Sequence, residues 1–169
     1  MKILGVDPGF TATGFAIIEK KDGITRLDDY GYLKLKSTDH LSARIGIFYE
    51  YFKQKIEDFS ISQISLETSF LGKNAQVFLK LGYLRGILYL LADQHNIELT
   101  ENSPREIKAA VTGSGAATKE QVAYVASRLF PVIKQTKNLR LDVTDAIAIA
   151  FCGLLAQSRD QLAKKQYSR

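Results

Sequence analysis

The opening run from Lys2 to Gly14, KILGVDPGFTATG, constrains the fold more than any other stretch of the chain. Ile3, Leu4 and Val6 form the short apolar run of a strand covered on both faces, and an acid followed by Pro and Gly stops it. Asp7 therefore falls at a strand's carboxyl end, the edge at which open α/β sheets bind their ligands. Taken alone, it reads equally as an Asx-turn acid. Three later acids in comparable places, Glu67, Asp142 and Asp145, favour the first reading.

The rest of the pattern supplies a frame for those acids. Gly14 to Glu19 is a second apolar run, and Ile24 to Leu35 carries apolar residues between polar ones, so with a turn at Gly23 an antiparallel meander is expected. From Leu41 the period changes: Leu41, Ile45, Phe48, Phe52 and Ile56 form one stripe of a helix that covers the sheet. Ile61, Ile64 and Leu66 predict a strand ending at Glu67, before the loop TSFLGKN. If the intervening helix is a right-handed crossover, this strand lies parallel to the first and brings Glu67 to the edge that holds Asp7.

A helix from about Ala75 to Gln94 follows, with Val77, Leu81, Leu84, Leu88 and Leu91 as its inner stripe and Gly82 and Gly86 open to close backbone approach. Ile97 to Thr100 reads as a short strand. Ser103-Pro104 is then an N-cap with Pro at the first helical position, and Thr118 with Gln121 is a capping box opening a helix to about Phe130. Val143, Ala146, Ile147, Ala150 and Leu154 stripe a last helix, whose first turn carries Asp142 and Asp145 on about the same face. Two acids stabilised by the helix dipole would read the same way.

A chain of 169 residues is most naturally one domain, here residues 1–155 followed by a polar, basic tail at 156–169. No stretch reaches the roughly 18 consecutive apolar residues of a bilayer span, and no secretory signal is visible, so no membrane association and a cytoplasmic location are expected. The lone Cys152 excludes an intrachain disulfide or a thiolate-clustered metal site and suits a buried small hydrophobe. A net charge of +5 leans modestly towards a polyanionic partner.

Acids at strand ends and on one helix face, with only His40 and His95 as imidazoles, specify a hard oxygen-liganding site that favours Mg²⁺, with Mn²⁺ as substitute, over zinc. Paired ions of this kind stabilise both attacking and leaving oxygens in phosphodiester hydrolysis. Carboxylates packed together repel one another, and no basic side chain in the pattern obviously neutralises them, so a metal is the simpler explanation.

Four segments in order, ILGVDPGFTATG, SLETSFLGKNAQVFLKLGYLRG, SPREIKAAVTGSGAATKEQV and LDVTDAIAIA, resemble the RuvC family of Holliday-junction resolvases over about Lys2 to Leu155. The resemblance implies a ribonuclease H-like α/β fold, a mixed five-stranded sheet (antiparallel meander plus parallel strands) flanked by helices. It also implies a homodimer that nicks two opposing strands of a four-way DNA junction symmetrically, dependent on Mg²⁺ and cooperating with the branch-migration proteins RuvA and RuvB. Asp7, Glu67, Asp142 and Asp145 match the family's catalytic, metal-binding acids, the first three most securely as ligands. Phe70 matches an aromatic used at the junction, although a loop Phe is also a common core plug; Lys108 and Lys119 match basic residues near the scissile phosphate. Lys73, Asn74, Lys80 and Arg105 are weaker phosphate contacts, and the stripe with Val77, Leu81 and Leu84 fits either the core or a dimer face. Phe10-Thr11 and Val143-Thr144 depart from the usual family residues, the first pair leaving DNA contacts after Asp7 open and the second reading as a packing adjustment.

Three other functions fit parts of the pattern. A phosphate-binding ATPase or sugar kinase of the actin-like fold also opens with a strand and an acid-Gly turn, but it needs two lobes that one domain cannot supply. A non-catalytic junction-binding module would use the acids structurally. A ribonuclease acting on RNA or hybrids is the nearest rival, because the fold does not fix the substrate.

Overall fold

The computed structural model describes residues 1–69, 75–136 and 139–167, residues 160–167 by backbone alone. Strands β1 (Lys2–Asp7), β2 (Ala12–Lys21) and β3 (Ile24–Lys34) form the expected meander. Asp22 and Gly23, both at positive φ, make the β2–β3 turn, the conformation that two-residue hairpins favour. Helix α1 (Leu41–Phe59) crosses over to β4 (Gln63–Glu67), which pairs parallel to β1, and helix α2 (Ala75–Gln94) crosses to β5 (Glu98–Asn102), parallel to β4. The sheet order is β3-β2-β1-β4-β5. Helices α3 (Pro104–Thr112) and α4 (Lys119–Leu129), a 3-10 turn at Pro131–Gln135 and the long α5 (Leu141–Tyr167) complete the chain.

Alternation along β1 divides the core. Leu4 and Val6 join Phe48, Phe52, Leu84, Leu88 and Leu91 under α1 and α2, whereas Ile3 meets Val143, Ala146, Ile147 and Ala150 of α5 on the other face. A third cluster, with Ile107, Val111, Val122 and Ile149, seats α3 and α4 on the outer side of α5. Close approach of α5 to the sheet depends on two glycines: a Cβ on Gly5 would stand 2.4 Å from the Ala146 carbonyl oxygen, and one on Gly14 2.0 Å from that of Asp142. Any larger side chain there would lift the helix from the strands.

Several expectations need correction. The buried stripe of α1 is Arg44, Phe48, Phe52 and Ile56, with Leu41 exposed. Only Leu84, Leu88, Leu91 and Ala92 of α2 are buried; Val77 is exposed, and among the described residues nothing lies within 4 Å of a Cβ at Gly82 or Gly86, so none of them makes the expected close approach. Helix α5 continues past residue 155 to Tyr167. By length and mean hydropathy, α2 and residues 141–159 would suffice to cross a bilayer, which a search for unbroken apolar runs overlooks. In this fold α5 is a core helix packed on the sheet, and α2 covers the opposite face with its second half.

Candidate active site

The β1–β4 register pairs Val6 with Leu66, so Asp7 and Glu67 end neighbouring parallel strands at one edge of the sheet. Because Gly14 admits the first turn of α5, Asp142 and Asp145 arrive at the same edge. Capping fixes the other two walls. Ser103 and Glu106 form a reciprocal box at the start of α3, and Thr118 and Gln121 do so at α4, which presents Lys119 as the first residue of that helix. The result is a cleft of about 230 Å³ lined by Asp7, Glu67, Lys108, Lys119 and Asp145 with apolar walls from Ile107, Val122 and Ala148.

Electrostatics in the cleft is dominated by crowded carboxylates. Burial, and then the charges of Asp145, Glu67 and Asp142, push Asp7 up to about 7, against the opposing pull of Lys119. Burial and Asp145 also raise Glu67, while Lys119, Lys108 and Arg85 draw it back. Two basic groups neutralise acids here, contrary to the sequence-based expectation that none does. Lys119 Nζ donates to Asp145 Oδ2 at 2.8 Å. Arg140 donates to Asp142 Oδ2 from Nε at 3.1 Å and from Nη2 at 2.7 Å. Asp142 consequently adds its charge to the field at Asp7 without lining the cleft.

A hard divalent cation fits this donor set. All the potential ligands are carboxylate oxygens, and their mutual repulsion and burial are the penalties a bound cation relieves. Among the described residues, no three His, Cys, Asp or Glu side chains already stand in a ligating arrangement. Asp145 and Asp142 are instead paired with Lys119 and Arg140.

Of the expected site residues, Asp7, Glu67, Asp145, Lys108 and Lys119 meet in the cleft, with Asp142 beside it. Phe70 and Lys73, with the weaker candidate Asn74, lie outside the described residues. Lys80 is exposed on α2, and a Cβ on Gly115 would meet the Arg105 stem at 2.4 Å. The loop after Asp7 is clamped: Thr13 Oγ1 donates to the Gly9 carbonyl at 2.9 Å and accepts from its N–H at 3.1 Å. Arg44 stacks 4.2 Å over the Phe10 ring and donates to the Phe10 carbonyl. Phe10 is thereby committed to packing, and Val143 is likewise a core residue.

The sequence reading missed Arg85. From α2 it donates through Nη1 to the Glu67 carbonyl at 2.7 Å and through Nη2 to Glu101 at 2.5 Å, and Tyr89 donates to the same Glu101 oxygen at 2.5 Å. Its one signal was a lone arginine between the apolar stretches of the helix. Beneath Glu67, Asn102 donates to Ser65 Oγ at 3.1 Å and Ser65 donates to the Ile149 carbonyl at 3.0 Å, tying β5, β4 and α5 together.

Comparison with known proteins decides the family. The sequence profile described as Crossover junction endodeoxyribonuclease RuvC matches residues 3–153. The chain belongs to the RuvC family. A relative of that name from Chloroherpeton thalassium is 41% identical over 153 residues, covering 90% of this chain and 81% of the relative. One from Aliarcobacter butzleri is 41% identical over 150 residues, covering 89% and 96% respectively. The fold matches the Thermus thermophilus RuvC structure with a TM-score of 0.78 at 22% identity, covering 90% of this chain and 92% of that one. The Thermus thermophilus RuvC complex with Holliday junction substrate gives 0.79 at 20% identity over the same shares. The fold is thus ribonuclease H-like, and the chain is a nuclease of the crossover junction endodeoxyribonuclease class.

Proposed function

We propose that this chain resolves four-way DNA junctions as a Mg²⁺-dependent homodimer, each subunit nicking one of two opposing strands in its acid cleft. The observation that carries the reading is the convergence of Asp7, Glu67 and Asp145, drawn from the two ends and the middle of the chain, with Lys108 and Lys119 in one cleft. Divalent metal dependence belongs to the family; Mg²⁺, with Mn²⁺ as substitute, is the ion the all-oxygen donor set favours.

Asp7, Glu67, Asp142 and Asp145 hold the metal and are the catalytic acids, Asp145 and Asp142 exchanging their lysine and arginine partners for it. Bound there, the metal supplies a water acidic enough to attack and a positive charge for the leaving oxygen. Lys108 and Lys119, which line the cleft from α3 and α4, offset the charge that builds on the phosphate oxygens. Phe70 and Lys73 follow Glu67 closely in the chain and are assigned to the junction itself, Phe70 stacking on an unpaired base and Lys73 on the backbone.

The dimer face is assigned to α2. Its outward side carries Leu79, Tyr83 and Leu90, an apolar surface that the other described residues leave exposed and that suits a second copy. RuvA and RuvB are proposed as partners that bring the junction to the dimer, and the cytoplasm as its location. The test uses labelled four-way junction, linear duplex and RNA–DNA hybrid, each with Mg²⁺ or chelator, and the wild-type and Asp7→Asn proteins. Paired symmetric nicks confined to the junction, abolished by chelator and by Asp7→Asn with binding retained, are expected. Cleavage of the hybrid alone would make the chain a ribonuclease, and binding without cleavage under any divalent metal would make it a junction-binding module.

A further inference from the structure

One row of residues crosses the sheet beside the acids, Tyr32 pairing with Gly14 and Gly14 with Asp7. Neighbours in such a row project to the same face, and Gly14 leaves its own place bare for the backbone of Asp142. Tyr32 is 47% exposed at this edge. The Arg140 guanidinium lies 5.0 Å from the centre of its ring, itself 48% exposed, while bonding only one oxygen of Asp142. Lys34, two residues further along β3 on the same face, is also exposed.

An arginine serving only to neutralise Asp142 would need no aromatic platform, and a tyrosine serving only to fill the core would not stand half exposed. The ring contact positions the guanidinium and leaves donors beyond the two used on Asp142. A planar fork held on a ring in this way is organised to receive phosphate oxygens.

We propose that Tyr32 and Arg140 form a phosphate-binding subsite for the strand being cut, on the β3 side of the acid cleft. The inference deepens the nuclease reading and rests on it. Two strand spacings put Tyr32 about 10 Å from Asp7, close enough for one strand to meet both. Arg140 therefore takes a phosphate close to the cut, turning its donors from Asp142 to the strand, and Lys34 extends the same track.

The test is equilibrium binding of the full chain to labelled four-way junction in chelator, where nothing is cut, across a salt series. Arg140→Gln is expected to weaken binding about tenfold and to reduce the slope of log affinity against log salt by about one. Arg140→Lys keeps the slope. Tyr32→Leu weakens binding severalfold by removing the platform, and Tyr32→Phe, which keeps the ring, restores it. Thermal melting of each variant identifies any that fails to fold, and the two positions report independently. An unchanged slope in folded Arg140→Gln overturns the subsite, as does a Tyr32→Leu protein that binds like wild type. Wild-type protein that binds the junction but never nicks it with Mg²⁺ overturns the nuclease reading instead, an outcome separate from either.

Discussion

Asp7 sits where a charge is hardest to keep. Its carboxyl is pushed from 3.8 to about 7 by burial and three neighbouring acids, so near neutrality the metal-free protein holds a proton that the unfolded chain has already released. The stability this contributes is full below about pH 4 and is lost as the pH rises through about 7. In chelator, wild-type protein should lose urea resistance between pH 4 and pH 7 relative to Asp7→Asn, and Mg²⁺ should recover part of it; parallel profiles would remove the linkage. Lys108 makes a different prediction. It lines the cleft and lowers Glu67 without an ion pair of its own among the described residues. Lys108→Ala is expected to slow single-turnover cleavage roughly 100-fold while junction affinity changes only slightly. Equal losses in rate and affinity would mark it as a phosphate anchor alone.

At the scale of elements, the docking of α5 controls whether the acids meet. Gly14→Ala would drive a methyl into the Asp142 carbonyl, and overpacking of this kind costs about 1–3 kcal/mol. Calorimetry should show the melting point lowered by several degrees, with cleavage falling further than stability explains because Asp142 and Asp145 move together. Gly23, whose Cβ would meet open space, is the contrast: any loss there comes from its positive φ alone. Local chemistry made some elements legible in the sequence: Ser103-Pro104 and Thr118 with Gln121 predict the starts of α3 and α4, and both capping boxes form. Periodicity misled at α2, because a stripe such as Val77 to Leu91 looks continuous although only its second half reaches the sheet. Propensity gave no sign of the 3-10 turn at Pro131–Gln135 or of the register shift between Ile17 and Ile18.

For the whole molecule, the exposed half of α2 matters most. Leu79→Glu would place a charge on its apolar outer side at a residue that is 58% exposed in the single chain, so the subunit should fold normally and sediment as a monomer. Junctions would then receive single unpaired nicks; dimers and paired nicks in this variant would move the subunit contact elsewhere. Arg85 joins this helix to Glu67, so the same experiment shows whether contact between subunits reaches the acids. The acids themselves were legible because each closes a strand or opens a helix, where turn and cap residues leave a clear mark. Their counter-cations were not: Lys119 meets Asp145 across 26 positions of chain, and Arg140 reads as an ordinary charge before a helix. Since an ammonium group already rests on Asp145, loading the cleft becomes a swap of one cation for another. On the proposed reading, removing Lys119 would ease metal entry while loosening the grip on the strand, so a single side chain would set the two affinities against each other.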